Sequence, residues 1–157
     1  MAGNFRYTVW DPCMILAQMA TLQCCFYVSL GAWIVILDVL VGYPRSLDQI
    51  FKYQSWFMTQ AHGKVMITAL ICNAFSSSLA LWHVIQRTKL CLDYTCTVHF
   101  FHVLLCWYYN GSLAHHFSWW VINTISVTLM CVSGEFLCMR TELKAIPVSM
   151  SGAKVDL

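Results

Sequence analysis

The chain has 157 residues and a mean hydropathy of +0.63; 59% of its residues are hydrophobic and only 10% are charged. An ordinary soluble domain is about 25% charged, so this much apolar surface calls for lipid as its solvent, and a single all-α polytopic membrane domain is expected. A net charge of +2, with no basic run longer than two residues, argues against a nucleic-acid partner.

In chain order, Arg6 precedes Trp10-Asp11-Pro12. Pro12 suits the first turn of a helix, where its missing N–H costs nothing, and the Asp11 carboxylate can accept from free backbone N–H groups. The first apolar run, about 13–37, is too long for a cleaved leader and is expected to stay in the membrane. The segment 38–64 is the only sizeable loop. Ser46-Leu47-Asp48-Gln49 has a capping-box pattern, and Ile50, Phe51, Tyr53, Trp56, Phe57 and Met58 after it suggest a short amphipathic helix lying in the interface.

The second span, about 65–85, carries a stripe of small residues, Thr68, Cys72, Ser76 and Ala80, that would let helices approach closely. Only Gln86, Arg87, Thr88 and Lys89 separate it from the third span, about 90–109, which predicts a tight antiparallel hairpin. The fourth span, about 117–138, leads to a tail at 139–157. Trp10, Trp56, Trp119 and Trp120 fall near the predicted boundaries, as interfacial aromatics do. The fold expected is thus a four-transmembrane-helix bundle.

Four crossings place both chain ends and the 86–89 turn on one side. That side holds Arg6, Arg87, Lys89, Arg140, Lys144 and Lys154, against Arg45, Lys52 and Lys64 on the other. The positive-inside rule makes the first side, with both termini, cytosolic. The sequon Asn110-Gly111-Ser112 then lies on the lumenal side, close to the membrane, and is expected to go unused.

Ionisable residues in spans are functional suspects. At 1.5 Å per residue, Asp93 and Glu135 fall near the cytosolic boundary and Asp38 near the lumenal one. Asp93 and Glu135, with Arg6, Asp11, Arg87, Lys89, Arg140, Glu142 and Lys144, make a charged cytosolic rim. Mutual pairing that fixes helix ends is one reading; a docking surface is the other. His99 and His102 lie deepest, on one helix face. That spacing resembles a metal or haem signal, but one helix cannot offer both axial ligands and span four has no histidine, so hydrogen bonds across helices are expected. The nine cysteines, an odd number, read as packing residues, and the small and polar side chains of the spans read as packing and not as a transport path. No nucleotide loop, nucleophile elbow or paired carboxylates support an enzyme. No cofactor is expected; a small b-type haem protein and a small transporter stand as the rival classes.

Phe5-Arg6, Trp10-Asp11-Pro12, Ser46 to Gln49, Cys91 to Thr95, His99-Phe100-Phe101-His102, Cys106-Trp107, Trp119-Trp120, Gly134 to Lys144 and Ile146-Pro147 together resemble the Sys-one family of Golgi integral membrane proteins. The resemblance covers nearly the whole chain. It implies residence in the trans-Golgi membrane and recruitment there of an Arf-related small GTPase whose N-terminal methionine is acetylated. That GTPase starts a cascade of Arf-like GTPase and golgin tethers supporting traffic between endosomes, Golgi and plasma membrane. The residues expected to meet the GTPase are Trp10, Asp11, Arg87, Lys89, Asp93, Glu135, Arg140 and Glu142.

Overall fold

A computed structural model describes residues 11–44, 46, 48–56 and 60–145. Helix α1 spans Pro12–Val41, a single turn α2 spans Asp48–Phe51, α3 spans Ala61–Ile85, α4 spans Cys91–Asn110 and α5 spans Phe117–Ala145. Short 3-10 turns at Tyr53–Trp56 and Thr88–Leu90 complete the helical structure, and no strand occurs among the described residues. Four of the helices are long and apolar enough to cross a bilayer.

Local chemistry explains the helix ends. Asp11 caps α1, its Oδ1 accepting from the N–H groups of Cys13 (3.1 Å) and Met14 (3.4 Å), with Pro12 in the first turn. At the far end Gly42 takes φ +81°, and the N–H groups of Gly42 and Tyr43 both return to the Asp38 carbonyl. Helix α1 is therefore about 45 Å long, well beyond a hydrocarbon core of about 30 Å.

Asp38 falls in the last turn of α1, at the end of the span where it was expected, but its side chain is fully buried. Neither carboxylate oxygen has a hydrogen-bond partner among the described residues.

The helices form a ring in the order α1, α3, α5, α4. Helix α3 packs mainly on α1 and α5, while α4 packs on α5 and α1. The four-residue link between α3 and α4 therefore does not make the tight hairpin its length suggests; the two helices touch little and lie across the diagonal. The reason sits on α5. Gly134 is buried against Leu81 of α3, so closely that a Cβ there would fall 2.4 Å from Leu81 Cδ2. On the neighbouring turn Cys138 meets Cys91 of α4, sulfur to sulfur at 3.5 Å. Small residues thus let α5 wedge between the two helices that the chain joins.

The small stripe of the second span serves helix packing only in part, through Ser76, which takes the Trp33 indole N–H of α1, and Ala80, which packs on the core. The close α3 packing uses Ala69, Asn73, Ala74, Ser77 and Leu81, which are buried. Thr68 is exposed, and Cys72 and Ser76 line a groove open to the outside of the bundle.

The long loop folds back over the bundle. The capping box forms: Ser46 N–H donates to Gln49 Oε1 (3.4 Å) and Asp48 N–H to Ser46 Oγ (3.2 Å). The amphipathic helix expected after it is only one turn followed by a 3-10 turn, and its aromatics face inward. Trp56 is 3% exposed, and Tyr53 stacks edge-on against Trp119 at 5.1 Å. Trp119 itself is 2% exposed. Trp56 and Trp119 are therefore core residues and not interfacial belts. Trp120 is exposed as expected, its indole N–H on the Ala114 carbonyl at 3.0 Å. Trp10, Phe57 and Met58 lie outside the described residues. The Asn110 amide nitrogen, where the sequon would carry its glycan, donates to the carbonyls of Phe51 and Cys106, both at 2.7 Å.

Candidate functional site

Two polar regions compete as the site. The first is a seam of hydrogen bonds between helices. Tyr94 donates to Gln18 (2.8 Å), Ser29 to Asn73, and Trp33 Nε1 to Ser76 (2.8 Å). The two histidines belong to this seam. Both are buried; His102 Nδ1 pairs with Tyr27 OH at 3.1 Å across to α1. His99 Nε2 pairs with Ser126 Oγ at 3.2 Å across to α5, while its Nδ1 meets the Thr95 carbonyl at 3.0 Å. Hydrogen bonds across helices, the reading expected for these residues, are what the structure contains. The Cys106 sulfur lies 3.6 Å from His102 Nε2. Among the described residues no three His, Cys, Asp or Glu side chains converge as metal ligands would. The seam holds helices together in a medium that offers buried polar groups no water.

The second region is the face at which α1 begins and α5 ends, with the 86–89 turn between. Gln86 sits in the left-handed region at φ +54°, which reverses the chain out of α3. Thr88 then opens the 3-10 turn, and α5 grips it: Glu142 Oε1 accepts from the Thr88 N–H at 3.1 Å and Glu142 Oε2 from its hydroxyl at 2.8 Å. Nearby, Trp82 Nε1 donates to Thr141 Oγ1 at 2.7 Å.

The expected site residues divide into two groups here. Asp11 and Glu142 are committed to structure, one capping α1 and the other clasping the turn. Glu135 is half-buried and accepts the Cys131 thiol at 3.4 Å. Arg87, Lys89, Asp93 and Arg140 are exposed on the same face. Among the described residues no ion pair joins these four to one another, while Lys89 and Arg87 lie close enough to Glu142 to attract its carboxylate. The Arg140 guanidinium instead lies over the Phe136 ring, 4.7 Å from its centroid. Thr88, Thr141 and Trp82 join the face without having been singled out in the sequence; a threonine directly after a helix-ending turn was the one available signal.

Over residues 5–148 the sequence matches the family described as "SYS1: Integral membrane protein S linking to the trans Golgi network". It is 44% identical over 149 residues to the Protein SYS1 homolog of Nematostella vectensis, covering 95% of this chain and 94% of that one. It is 36% identical over 144 residues to the Protein SYS1 homolog of Dictyostelium discoideum, covering 92% of this chain and 62% of that one. No solved structure matches the chain. With four apolar helices, each long enough to cross a bilayer, and a family match over nearly its whole length, the chain belongs to the SYS1 family of multi-pass membrane proteins linked to the trans-Golgi network.

Proposed function

We propose that this protein is a Golgi membrane receptor that recruits an N-terminally acetylated Arf-related small GTPase to the trans-Golgi, in support of vesicle traffic between endosomes, Golgi and plasma membrane. The face carrying the chain ends is the cytosolic one in this reading, following the excess of Lys and Arg on that side.

A small GTPase bearing a short amphipathic N-terminal helix binds a bilayer weakly by that helix alone, and stable anchoring takes a second signal. A protein surface at the membrane boundary supplies it. The observation that carries the reading is the set of exposed charges, Arg87, Lys89, Asp93 and Arg140, left unpaired with one another beside a turn held rigid by Glu142. Exposed charges that form no ion pair with one another are available to orient an incoming helix. Asp11, Glu135 and Glu142 serve this face by shaping it.

The test is capture of the GTPase by full-length protein in Golgi-localised, correctly folded form. Changing Arg87, Lys89 and Asp93 to Ala together is expected to abolish co-isolation while leaving localisation and helicity intact. Undiminished capture by that triple variant would refute this surface as the receptor site.

A further inference from the structure

We propose that the open groove between α1, α3 and α5 is a site for one anionic phospholipid, an acyl chain lying in the groove and the phosphate held by Arg140. The groove encloses about 680 Å³, within the usual range for small-molecule sites of about 300–1,000 Å³. Its walls are Trp33 of α1, Cys72, Phe75 and Leu79 of α3, and Val132 and Phe136 of α5.

Most polar atoms in those walls are already used: the Ser78 hydroxyl donates to the Phe75 carbonyl at 2.7 Å. Ser76 Oγ accepts from Trp33 Nε1 at 2.8 Å and donates to the Cys72 carbonyl at 3.2 Å. The groove thus offers hydrocarbon an apolar surface and gives a polar substrate little to bind. Its depth comes from small side chains, Cys72, Ser76 and Ser133, flanked by large ones.

The charge lies at the end of the groove nearest the chain termini. Phe136 lines the wall, and the Arg140 guanidinium covers its ring at 4.7 Å. Arg140 is exposed and has no carboxylate partner among the described residues. A guanidinium stacked by one face keeps its N–H edge free in a fixed plane, suited to two parallel bonds to a phosphate. One helical turn, about 6 Å, separates Phe136 from Arg140, so an acyl chain against the first brings its headgroup to the second. Charge complementarity selects the occupant: a cation at the mouth of an apolar trough favours a lipid with net negative charge over a zwitterionic one.

The experiment is native mass spectrometry of the full-length protein purified in detergent and incubated with phosphatidylserine or phosphatidylcholine. No GTPase is present, so the outcome is independent of the receptor reading. Wild-type protein is expected to retain phosphatidylserine about five-fold more than phosphatidylcholine, the factor one basic residue at a membrane surface supplies. Arg140→Gln, an exposed change that leaves the fold intact, is expected to erase the preference. Ser133→Trp, which fills the groove, is expected to lose both lipids while keeping wild-type helicity. Equal retention of the two lipids by the wild type would overturn the proposal, as would a preference that survives Arg140→Gln. So would a second copy of the chain occupying the groove, seen as a dimer that Ser133→Trp abolishes.

Discussion

Glu142, three residues before the described end of α5, holds Thr88 with both carboxylate oxygens, one on the backbone N–H and one on the hydroxyl. This single contact fastens the last turn of the fourth membrane helix to the link between the second and third. It also separates two roles that charge alone does not distinguish. An acid on an exposed rim can meet a partner or it can shape the rim, and Glu142 shapes it.

The first prediction follows. Glu142→Gln keeps an acceptor but loses the charge; Glu142→Ala loses both bonds. Because the contact faces solvent, Ala should cost about 1 kcal/mol or less, with Gln in between. Thr88→Val removes only the hydroxyl bond and should cost less than Glu142→Ala, and the double variant should cost little more than Glu142→Ala alone, since that change already removes both bonds. Thermal unfolding in detergent would measure this. Fully additive losses would show that the two residues act separately.

A second prediction concerns the wedge. Gly134→Ala would place a methyl group 2.4 Å from Leu81 Cδ2 in a fully buried contact. Overpacking of this kind costs about 1–3 kcal/mol, and Val in place of Ala should cost more. Leu81→Ala opens the space, so combining it with Gly134→Ala is expected to recover part of the loss that Gly134→Ala causes alone. Stability of the four proteins, measured side by side, checks the pairing; a double variant worse than the sum of its parts would contradict it.

That wedge also marks where the sequence stopped being informative. Hydropathy locates Pro12–Val41 and its three fellow spans because twenty apolar residues leave few alternatives to crossing a membrane. Asp11 as a cap and the partners of His99 and His102 across helices were legible too, since their chemistry is local or forced by burial. The ring order was not. A four-residue link argues for neighbouring helices, and only the fit of Gly134 against Leu81 and of Cys138 against Cys91 displaces α4 to the diagonal. Trp56 and Trp119 read as interfacial because amphipathic rings favour boundaries, yet a loop folded onto the bundle end gives them a drier place. Asp38 stands at the helix end as expected, but its complete burial was not legible, because the chain that covers it comes from elsewhere in the fold. At the site itself, spacing identified the charged face, but not which charges were already committed within it.

A third prediction tests the seam. Tyr27→Phe removes the hydroxyl that faces His102 at 3.1 Å, and His102→Phe removes the ring nitrogens. Bonds of this type between membrane helices couple by about 0.6 kcal/mol on average in double-variant cycles. The cycle over these two residues should give a coupling of that order and of stabilising sign. A coupling indistinguishable from zero would mean that shape, with Phe26 edge-on to both histidines at 5.4 and 5.7 Å, fixes α4 against α1 by itself.

The last prediction concerns pH at the loop face. Asp48 is held below its usual carboxylate value, first by its bond from the Lys52 ammonium and then by the Tyr109 hydroxyl. Lys52 is raised in turn by the same carboxylate. A depressed acid stabilises the fold above its unfolded pKa, near 3.9, and that contribution fades as pH falls through the lower folded value. A raised lysine stabilises below its unfolded pKa, near 10.4, and its share is lost as pH climbs through the higher folded value. Between those limits, roughly pH 4 to 10, the pair should be insensitive to pH, and the loop should stay docked across that range. Limited proteolysis of residues 42–60 would show this as constant protection from pH 5 to 8, with cleavage increasing below pH 4. Asp48→Asn should flatten the acid limb, because it removes the titrating group. A loop that opened between pH 5 and 7 in the wild type would place its control elsewhere, on groups other than Asp48 and Lys52.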